Sequence, residues 1–458
     1  MNNTFLQLTL QEDASLSNHL EEYTISISPS LLHHWEIDPT KPVCLSIGQT
    51  VVPVTVQTTS TENKWMLMSS NLINRIKQLS TLCSNFLAQF IPKTQTICLG
   101  PIIAILTEIQ EAKEGKAPFR SLSTLYKELA HEIAAIGGIV YVCGLQGFST
   151  NCVSGYIVID NKWVQMELPF PTVVYNRLHS RKLDSSLFFQ QVCTKLEEKN
   201  IPIFNAQFFS KYDTHLLLKK DTHIQKHLPE THPLTKQILE SMLEKYPSLY
   251  IKPIHGSQGR NIIHLTLSEG KYAASISTGK QKDKKRFFSH IDQLWKWMQP
   301  FSKKRNYLCQ QGIDFVKMKE CPLDFRVLCH KNYYGEWRAT SLVARVASHD
   351  AFVANLAQGA EIFQAKSVLK ELFGKENAHQ IIAQLKELAI ETAAAIAAHS
   401  NGHFGEMGID MGVEANLDLW IIEANSKPSK NIEQNSSQIR PSTKALLEYF
   451  IRLSFPPE

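Results

Sequence analysis

A lysine within an apolar strand, followed at once by a glycine-rich turn, is the first feature with chemical meaning. Lys252 lies in the segment Leu249-Tyr250-Ile251-Lys252-Pro253, and Gly256, Ser257 and Gly259 form the turn. A buried ammonium group is costly without an anionic partner. Glycines let backbone N–H groups approach phosphate oxygens closely. The two parts together predict a site that holds a polyphosphate at two points, and a hairpin with an edge lysine is the alternative.

Two acidic segments near the C-terminus form a second feature. Asp410 lies in Gly408-Ile409-Asp410, and Glu423 and Asn425 lie in Ile421-Ile422-Glu423-Ala424-Asn425. Side chains alternate along a strand, so Glu423 and Asn425 share a face, and a hairpin would add Asp410 to them. Carboxylate and amide oxygens form a hard site that suits Mg²⁺. The alternative is a solvated acidic face, but Glu423 interrupts a very apolar run, which favours the metal site.

Two arginines interrupt apolar, strand-like segments. Arg326 follows Asp324-Phe325, and Arg345 lies within Leu342-Val343-Ala344-Arg345-Val346. A buried guanidinium group needs an anion, and its geometry suits a carboxylate or a phosphate. The pattern therefore predicts contacts to an anionic ligand. Structural ion pairs with Asp324 or Glu336 are the alternative.

The elements that must position these residues divide the chain of 458 residues into three predicted domains. Residues 1–95 are rich in short β-branched segments and predict a β-rich domain, with one helical stretch over 69–90. Residues 96–205 alternate strand-like and helix-like segments, which indicates a parallel sheet. Residues 206–458 carry the residues named above and a long amphipathic helix over 376–400.

Composition excludes several function classes. The 48 basic and 43 acidic residues leave a net charge of +5, too slight for a nucleic-acid partner. We find no signal peptide and no apolar run of the ~18–20 residues that a membrane span needs. The nine cysteines are scattered without a C-x-x-C pair, which predicts free thiols in a reducing compartment. These observations predict a protein made in the cytosol.

Taken in chain order, the segments resemble the ATP-grasp pattern. The order is strand lysine, Gly-Ser loop, Gln310-Gln311-Gly312-Ile313, Asp-Phe-Arg, Arg345, Asn355-Leu356, Gly-Ile-Asp and Glu-x-Asn-Ser-x-Pro. The details are similar to the YheC/YheD family of endospore coat-associated proteins, nearer in length to the YheD branch. The similarity extends over nearly the whole chain and includes 99–107 and 170–177. The central segment also resembles glutamate ligases that modify peptide C-termini.

The resemblance implies an α/β (α+β) fold and a set of roles. A C-terminal ATP-grasp fold would follow a Rossmann-like pre-ATP-grasp domain and a small β-rich N-terminal region. Such proteins bind ATP and Mg²⁺ and join a carboxylate to an amine through an acyl-phosphate, here with a peptide or a coat protein as candidate substrate. The spore coat is the location that the family name implies.

Individual positions take their roles from this resemblance. Lys211 and Lys252 would contact phosphates, as would the loop of Gly256, Ser257 and Gly259. Gln310, Gln311 and Ile313 would form the hinge that holds adenine, Asp314 would lie near the ribose, and Asn355 would complete the nucleotide site. Asp410, Glu423 and Asn425 would bind magnesium, and Arg326 and Arg345 would contact the γ-phosphate or the acyl-phosphate.

Three departures from the family pattern keep a second hypothesis open. Asn261 stands where the loop usually has a third glycine, and asparagine tolerates left-handed backbone. Gln358 and Ala360 replace an arginine and a glycine, and Ser429 replaces the glycine after Pro428. The first hypothesis is an active ATP-dependent ligase. The second is a non-catalytic nucleotide-binding or structural component of the spore coat.

Overall fold

The computed structural model describes residues 5–16, 23–60, 65–76, 79, 81–110, 119, 122–256, 259–268, 270–277, 285–302, 306–349, 354, 356, 359–430 and 438–455. The strands of this part form four sheets in chain order, the first of which closes into a barrel. Helices and strands mix throughout, and the α+β class predicted from the sequence is confirmed.

Seven strands of the N-terminal region form the closed barrel, in the order β1-β5-β2-β4-β3-β7-β6. Its elements are β1 (Leu6–Glu12), β2 (Thr24–Ile27), α1 (Pro29–His34), β3 (Val43–Ile47), β4 (Thr50–Thr58), β5 (Trp65–Met68), α2 (Ser70–Arg75), β6 (Asn85–Ile91) and β7 (Thr96–Gly100), with 3₁₀ turns at Ala14–Leu16 and Pro92–Thr94. Along β4 the valines at 52, 54 and 56 are buried and their neighbours are exposed, as a barrel wall requires.

The predicted helix over 69–90 is wrong over its second half. The helix ends at Arg75, and Asn85–Ile91 is β6, which pairs with both β1 and β7 and so closes the barrel. A strand whose partners lie some 80 residues away or on the next segment takes its conformation from that pairing more than from local propensity.

The second sheet has six strands in the order β11-β10-β9-β8-β12-β13. Its elements are β8 (Ile102–Leu106), α3 (Ser123–Ile136), β9 (Ile139–Cys143), a 3₁₀ turn (Leu145–Gly147), β10 (Val153–Ile159), β11 (Lys162–Leu168), β12 (Val173–Asn176), α4 (Arg181–Asp184), α5 (Leu187–Glu198) and β13 (Ile203–Phe204). The four strands β9, β8, β12 and β13 are parallel, as expected, and β10 and β11 add an antiparallel edge. The apolar run 97–106 is divided between the barrel and this sheet at Pro101.

The third sheet, antiparallel throughout, has the order β14-β19-β15-β16-β17-β18. Two short helices, α6 (Lys211–Leu218) and α7 (Thr222–Gln225), lead into it. Its elements are β14 (Thr231–Pro233), α8 (Lys236–Lys245), β15 (Ser248–Pro253), β16 (Ile262–Ser268), β17 (Lys271–Ser277), β18 (Arg286–Phe288), α9 (Ile291–Ser302) and β19 (Tyr307–Gln311). The helices α8 and α9 pack their apolar faces on β15 and its neighbours.

The fourth sheet carries the remaining chemical residues, in the order β23-β22-β21-β24-β25 with β20 beside β21. Its elements are β20 (Lys317–Met318), β21 (Cys321–Lys331), β22 (Trp337–Val346), β23 (Glu361–Gln364), α10 (Ala365–Ala398), β24 (Glu406–Val413) and β25 (Leu419–Asn425). The long helix α10 is interrupted at Gly374, whose φ of 81° is open to glycine at no steric cost.

The last helix, α11 (Pro441–Ser454), returns to the second sheet. Leu446, Tyr449 and Phe450 share a buried core with Tyr175 and Phe204 of that sheet. The C-terminal part of the chain is therefore packed against the preceding α/β unit. None of the helices in the described ranges is long and apolar enough to span a membrane.

Candidate active site

A cleft of about 790 Å³ opens between the third and fourth sheets. Strands β15, β16 and β19 line it from one side, and β21, β22, β24 and β25 line it from the other. The structure brings most of the sequence-predicted residues to this one cleft. They are Lys211, Lys252, Gly256, Gly259, Gln310, Gln311, Ile313, Asp314, Arg345, Asp410 and Glu423.

Lys252 enters the cleft from β15 because strand side chains alternate and its neighbour Ile251 is buried on the other face. Its Nζ donates to Gln310 Oε1 at 2.5 Å, and Gln310 Nε2 donates to Thr231 Oγ1 at 2.9 Å. Burial, with a contribution from the charge of Lys211, lowers the pKa of Lys252 to about 8. This ammonium group therefore has a neutral partner and lies beside a second cation, which prepares it for an anion.

Lys211 reaches the same cleft from the first turn of α6. That helix begins at Ser210, whose Oγ accepts a hydrogen bond from Asp213 N at 3.0 Å. Lys211 Nζ lies 2.5 Å from Glu423 Oε1, and the pair crosses from α6 to β25. The lysine that the resemblance assigned to phosphate is thus held in place by a carboxylate that it assigned to metal.

The predicted hinge and the adjacent Asp314, together called the hinge segment 310–314, are fixed by backbone hydrogen bonds at one end of the cleft. Gln311 N donates to Glu230 O at 2.8 Å, and Gly312 N donates to Ser248 O at 2.8 Å. A Cβ at position 312 would clash with the Ser248 side chain, so only glycine permits this close approach. The rigid peptide edge can present donors and acceptors to a flat ring.

The sequence prediction missed an aromatic wall next to this hinge. The rings of Tyr250 and His264 stack at 4.6 Å between centroids with an 18° angle, and both line the cleft. His264 Nε2 lies 2.8 Å from Ser248 Oγ, and burial lowers the pKa of His264 to about 4, so the ring is neutral at pH 7. Tyr250 could have been found, because it precedes Lys252 by two residues and must share its face.

The glycine turn is present beside the lysines. Gly256 and Gly259 line the cleft, whereas Ser257 lies outside the described residues. Asn261, which stands in place of a glycine, has a φ of 59° and so adopts the left-handed conformation that asparagine tolerates. The local backbone therefore accommodates this departure from the family pattern.

Both predicted arginines form bidentate ion pairs with aspartates on neighbouring strands. Arg345 on β22 lies opposite Asp324 on β21, with Nε to Oδ1 at 2.6 Å and Nη2 to Oδ2 at 2.7 Å. Arg326 lies opposite Asp410, donating to it through Nε and through Nη2, the latter at 2.7 Å. Arg345 Nη2 also lies 3.1 Å from Asp410 Oδ1, so the four side chains form one chain of alternating charge, the cleft tetrad.

Burial and charge act against each other in the cleft tetrad. Burial alone would raise the pKa of Asp410, but the guanidinium groups of Arg326 and Arg345 outweigh it and hold that pKa below its ordinary value. Burial raises the pKa of Asp324 to about 6 in spite of Arg345. Arg345 thus forms the ion pair with Asp324 that the alternative named, and Arg326 pairs with Asp410 and with neither Asp324 nor Glu336. Contact of either arginine with an anionic ligand stays a prediction.

The proposed metal ligands fit magnesium as a partial set of oxygen donors. Asp410 and Glu423 lie directly opposite each other on β24 and β25, and both line the cleft. Asn425 is two residues from Glu423 on the same face but lies outside the cleft lining, as Arg326 does. Within the described part of the chain, no three His, Cys, Asp or Glu side chains form a metal-binding group. Two carboxylates beside an anion site suit an ion that takes its other oxygens from phosphate and water.

Asn355 is, with Ser257, one of two predicted site residues that the structure does not describe. Asn355 lies outside the described residues, as does Gln358 of the altered segment that follows it. Their neighbour Ala354 does line the cleft. The role of Asn355 stays a prediction.

Comparisons with known proteins agree with the resemblance seen in the sequence. A family model described as YheC/D like ATP-grasp matches residues 200–453. The endospore coat-associated protein YheD of Bacillus subtilis (strain 168) is 28% identical over 376 residues, covering 80% of each chain. The endospore coat-associated protein YheC of the same strain is 24% identical over 289 residues, covering 60% of this chain and 76% of its own.

Solved structures show more distant similarity. The VanG D-Ala:D-Ser ligase from Enterococcus faecalis is 10% identical, with a TM-score of 0.46 over 77% of this chain and 98% of that one. The D-alanine-D-alanine ligase from Coxiella burnetii is 12% identical, with a TM-score of 0.42 over 77% of this chain and 94% of that one.

Proposed function

Since the chain belongs to the YheC/D-like ATP-grasp family, we propose that its cleft binds ATP with Mg²⁺ and joins a carboxylate to an amine. The arrangement of charge in the cleft is the observation that carries the proposal. Lys252 projects from the third sheet, Lys211 from α6 and Arg345 from the fourth sheet, all toward one volume. Cations that converge from separate elements suit a triphosphate, which carries several anionic oxygens along its length.

Each end of the cleft suits a different part of the nucleotide. The hinge at Gln310–Asp314 and the stacked Tyr250–His264 pair offer a peptide edge and a flat apolar surface to a base. The lysines and the glycine turn offer positive charge and backbone N–H groups to phosphates. We assign adenine and ribose to the hinge end and the γ-phosphate to the end that carries Arg345 and Asp410.

Asp410 and Glu423, with Asn425, would hold the magnesium ion. The ion supplies charge neutralisation on the transferred phosphoryl group. In the free protein these carboxylates are paired with Arg326, Arg345 and Lys211. The same cations would therefore turn toward phosphate oxygens when the nucleotide arrives, and the ion pairs keep each group in position until then.

The reaction needs no nucleophile from the protein. A substrate carboxylate attacks the γ-phosphorus, ADP leaves, and the resulting acyl-phosphate is attacked by an amine that displaces inorganic phosphate. Lys211, Lys252 and Arg345 would stabilise the charge that moves between oxygens, and the rigid sheets would hold the reactants in line.

The names of the curated relatives support a location for the protein and give no substrate. Both curated relatives are named endospore coat-associated proteins. We propose a spore coat location and a peptide or coat protein as the carboxylate or amine substrate. The 96–205 and N-terminal regions, whose described residues do not line the cleft, would then serve substrate or coat binding.

Release of ADP tests this function. Purified protein, Mg-ATP and fractionated spore extract should release ADP over many turnovers only when a carboxylate and an amine component are both present. Asp410→Asn, which keeps the shape of the side chain, should abolish that release. Two results together would favour the non-catalytic alternative, in which the paired carboxylates of the cleft are structural. The wild-type protein would release no ADP with any fraction, and the Asp410→Asn variant would keep its function in cells.

A further inference from the structure

Asp324 is the one acidic residue of the cleft tetrad to which neither the family resemblance nor the proposed magnesium site gives a role. It lies on β21, directly across from Arg345 on β22, and both side chains line the cleft. Both Asp324 oxygens accept from Arg345, through Nε at 2.6 Å and Nη2 at 2.7 Å. A fork of two parallel hydrogen bonds fixes the plane of a guanidinium group as well as its place.

The fork determines which donors of Arg345 remain. Nε and Nη2 are engaged by Asp324, and Nη2 also approaches Asp410 Oδ1 at 3.1 Å. Within the described part of the chain Nη1 makes no hydrogen bond, and Arg345 is a lining residue of the cleft. Two N–H bonds are thus left in an orientation that Asp324 sets.

The bidentate pair with Asp324 also keeps Arg345 from forming a second full ion pair with Asp410. That carboxylate already accepts two hydrogen bonds from Arg326. An Arg345 released from Asp324 would need only a small swing to form a full ion pair with Asp410, because its Nη2 is already 3.1 Å away. Asp410 would then face two complete guanidinium forks, and its oxygens would be less open to any other ligand.

We propose that Asp324 is a positioning residue that aims Arg345 Nη1 at the γ-phosphate and keeps Arg345 from closing on Asp410. The proposal rests on the proposed function, since it requires a nucleotide whose γ-phosphate lies at this end of the cleft. Simple charge arithmetic gives the opposite expectation. Removing a carboxylate from a cleft should strengthen binding of an anionic triphosphate, whereas loss of positioning should weaken it.

The test separates the γ-phosphate from the rest of the nucleotide. Calorimetry measures the affinity of the full chain for Mg-ADP and for the Mg complex of the β,γ-imido analogue of ATP. The affinity for the analogue divided by the affinity for Mg-ADP is the ratio that reports what the γ-phosphate adds to binding. The variants are Asp324→Asn, Arg345→Lys, Arg345→Gln and the double variant Asp324→Asn with Arg345→Gln. Glu128→Gln, which breaks a carboxylate–arginine pair with Arg440 outside the cleft, is the control.

We expect Asp324→Asn to lower the ratio by about tenfold, the effect of one charged hydrogen bond, with Mg-ADP affinity unchanged. Arg345→Lys keeps the charge but cannot form the bidentate hydrogen bond with Asp324, so it should lower the ratio by a similar factor. The double variant should lose no more than Arg345→Gln alone, because Asp324 acts through Arg345. Glu128→Gln should leave the ratio unchanged.

Three outcomes would overturn the inference. One is a ratio that is unchanged or raised in Asp324→Asn. Another is a parallel loss of Mg-ADP and analogue affinity, which would mark a general structural role. The third is a wild-type ratio in Arg345→Lys, which decides the matter even if Asp324→Asn does not fold. Failure of the wild type to bind either nucleotide would overturn the proposed function itself, and so is distinguishable from these results.

Discussion

Two clusters of buried charged groups each include residues of β21 and β24 on the fourth sheet, and they differ in what they border. In the cleft tetrad, Asp324, Arg345 and Asp410 line an open volume, and Arg326 is paired with Asp410. The second cluster, here the junction cluster, consists of Arg177, Tyr175, His330, Glu406 and Lys430, with side chains that have almost no exposed surface. None of its members lines the cleft.

The junction cluster joins the second sheet to the fourth. Glu406 at the start of β24 accepts from Tyr175 Oη at 2.5 Å and from Arg177 Nη1 at 2.6 Å, and it pairs with Lys430. Burial alone would raise the pKa of Glu406, but Lys430 and Arg177 outweigh it and hold that pKa well below its ordinary value. Burial and Lys430 lower the pKa of His330 to about 4, so the histidine is neutral.

Neighbouring contacts extend this junction to the segment that follows the proposed metal ligands. Arg177 Nη2 donates to Pro428 O at 3.0 Å, and Lys427 Nζ lies 2.6 Å from Asp184. Asn205 Nδ2 donates to Glu406 O at 2.9 Å. The second sheet therefore holds β24 and the end of β25 in place without touching the cleft.

The comparison teaches that similar ion pairs act in stability or in binding according to whether they are enclosed by protein or border a cleft. Groups in a closed cluster have no other partner to turn to, so removing one leaves a buried charge uncompensated. Groups on the wall of a cleft can exchange a protein partner for a ligand. The junction cluster should therefore govern stability and the cleft residues should govern binding.

The largest effect is expected from Glu406→Gln. The substitution leaves Arg177 and Lys430 without their carboxylate in a fully buried place, and breaking such a cluster costs about 3–5 kcal/mol. Urea unfolding monitored by circular dichroism measures the change in the free energy of unfolding. An unchanged midpoint would mean that the junction cluster does not hold the two sheets together.

A smaller effect, on nucleotide binding and not on stability, is expected from Lys252→Ala. Loss of a charged hydrogen bond to phosphate should weaken Mg-ATP binding by about 10- to 100-fold, equivalent to about 1.5–3 kcal/mol. The free energy of unfolding should stay the same or rise, because a partly buried cation is removed. Calorimetric titration and urea unfolding of the same preparation provide both quantities. Loss of stability with intact binding would reverse the proposed division.

The pH dependence of binding sharpens the same point. In the free protein the pKa of Lys252 is about 8, below the ordinary value for lysine. Phosphate binds the protonated form, so affinity for Mg-ATP should fall as pH rises above 8, by at most about tenfold per pH unit. Titrations between pH 7 and 9.5 in buffers of different ionisation enthalpy should show proton uptake on binding. Lys252→Ala should show neither trend, and a flat wild-type profile would contradict the assignment.

The smallest effect is expected from Glu336→Gln. Glu336 pairs with Arg338 on the surface, where both side chains are more than half exposed. Exposed pairs contribute about 0–1 kcal/mol, so neither the free energy of unfolding nor nucleotide affinity should change measurably. The variant is the exposed counterpart of Glu406→Gln in the same assays. A large loss of stability here would show that burial is not what separates the two classes.

The sequence allowed prediction of the cleft where a charge interrupts an apolar strand. This pattern identifies Lys252 and Glu423, and Asp410 joins Glu423 once the two strands pair as a hairpin, which they do in the structure. Chain order added the hinge at Gln310–Asp314, which the structure places at one end of the same cleft. Local pattern is sufficient here because alternation along a strand fixes the face of a side chain.

Features that depend on long-range register could not be predicted. Whether Arg345 meets a phosphate or Asp324 depends on how β21 and β22 align across a connection, and the sequence left both open. The segment of β6 was predicted as helix because its local sequence does not reveal the pairing with β1 and β7 that closure of the barrel provides. The junction cluster was missed entirely, since Arg177 and Glu406 lie 229 residues apart in the chain.

Titration of the wild-type protein with ATP, in the presence of Mg²⁺ and again with the metal chelated, tests the central claim most directly. The account predicts saturable binding of one nucleotide per chain that weakens markedly without Mg²⁺, because Asp410 and Glu423 then have no ion to share with the phosphates. Absence of binding in both conditions, in protein that unfolds cooperatively, would contradict it and leave the cleft charges as structural ion pairs.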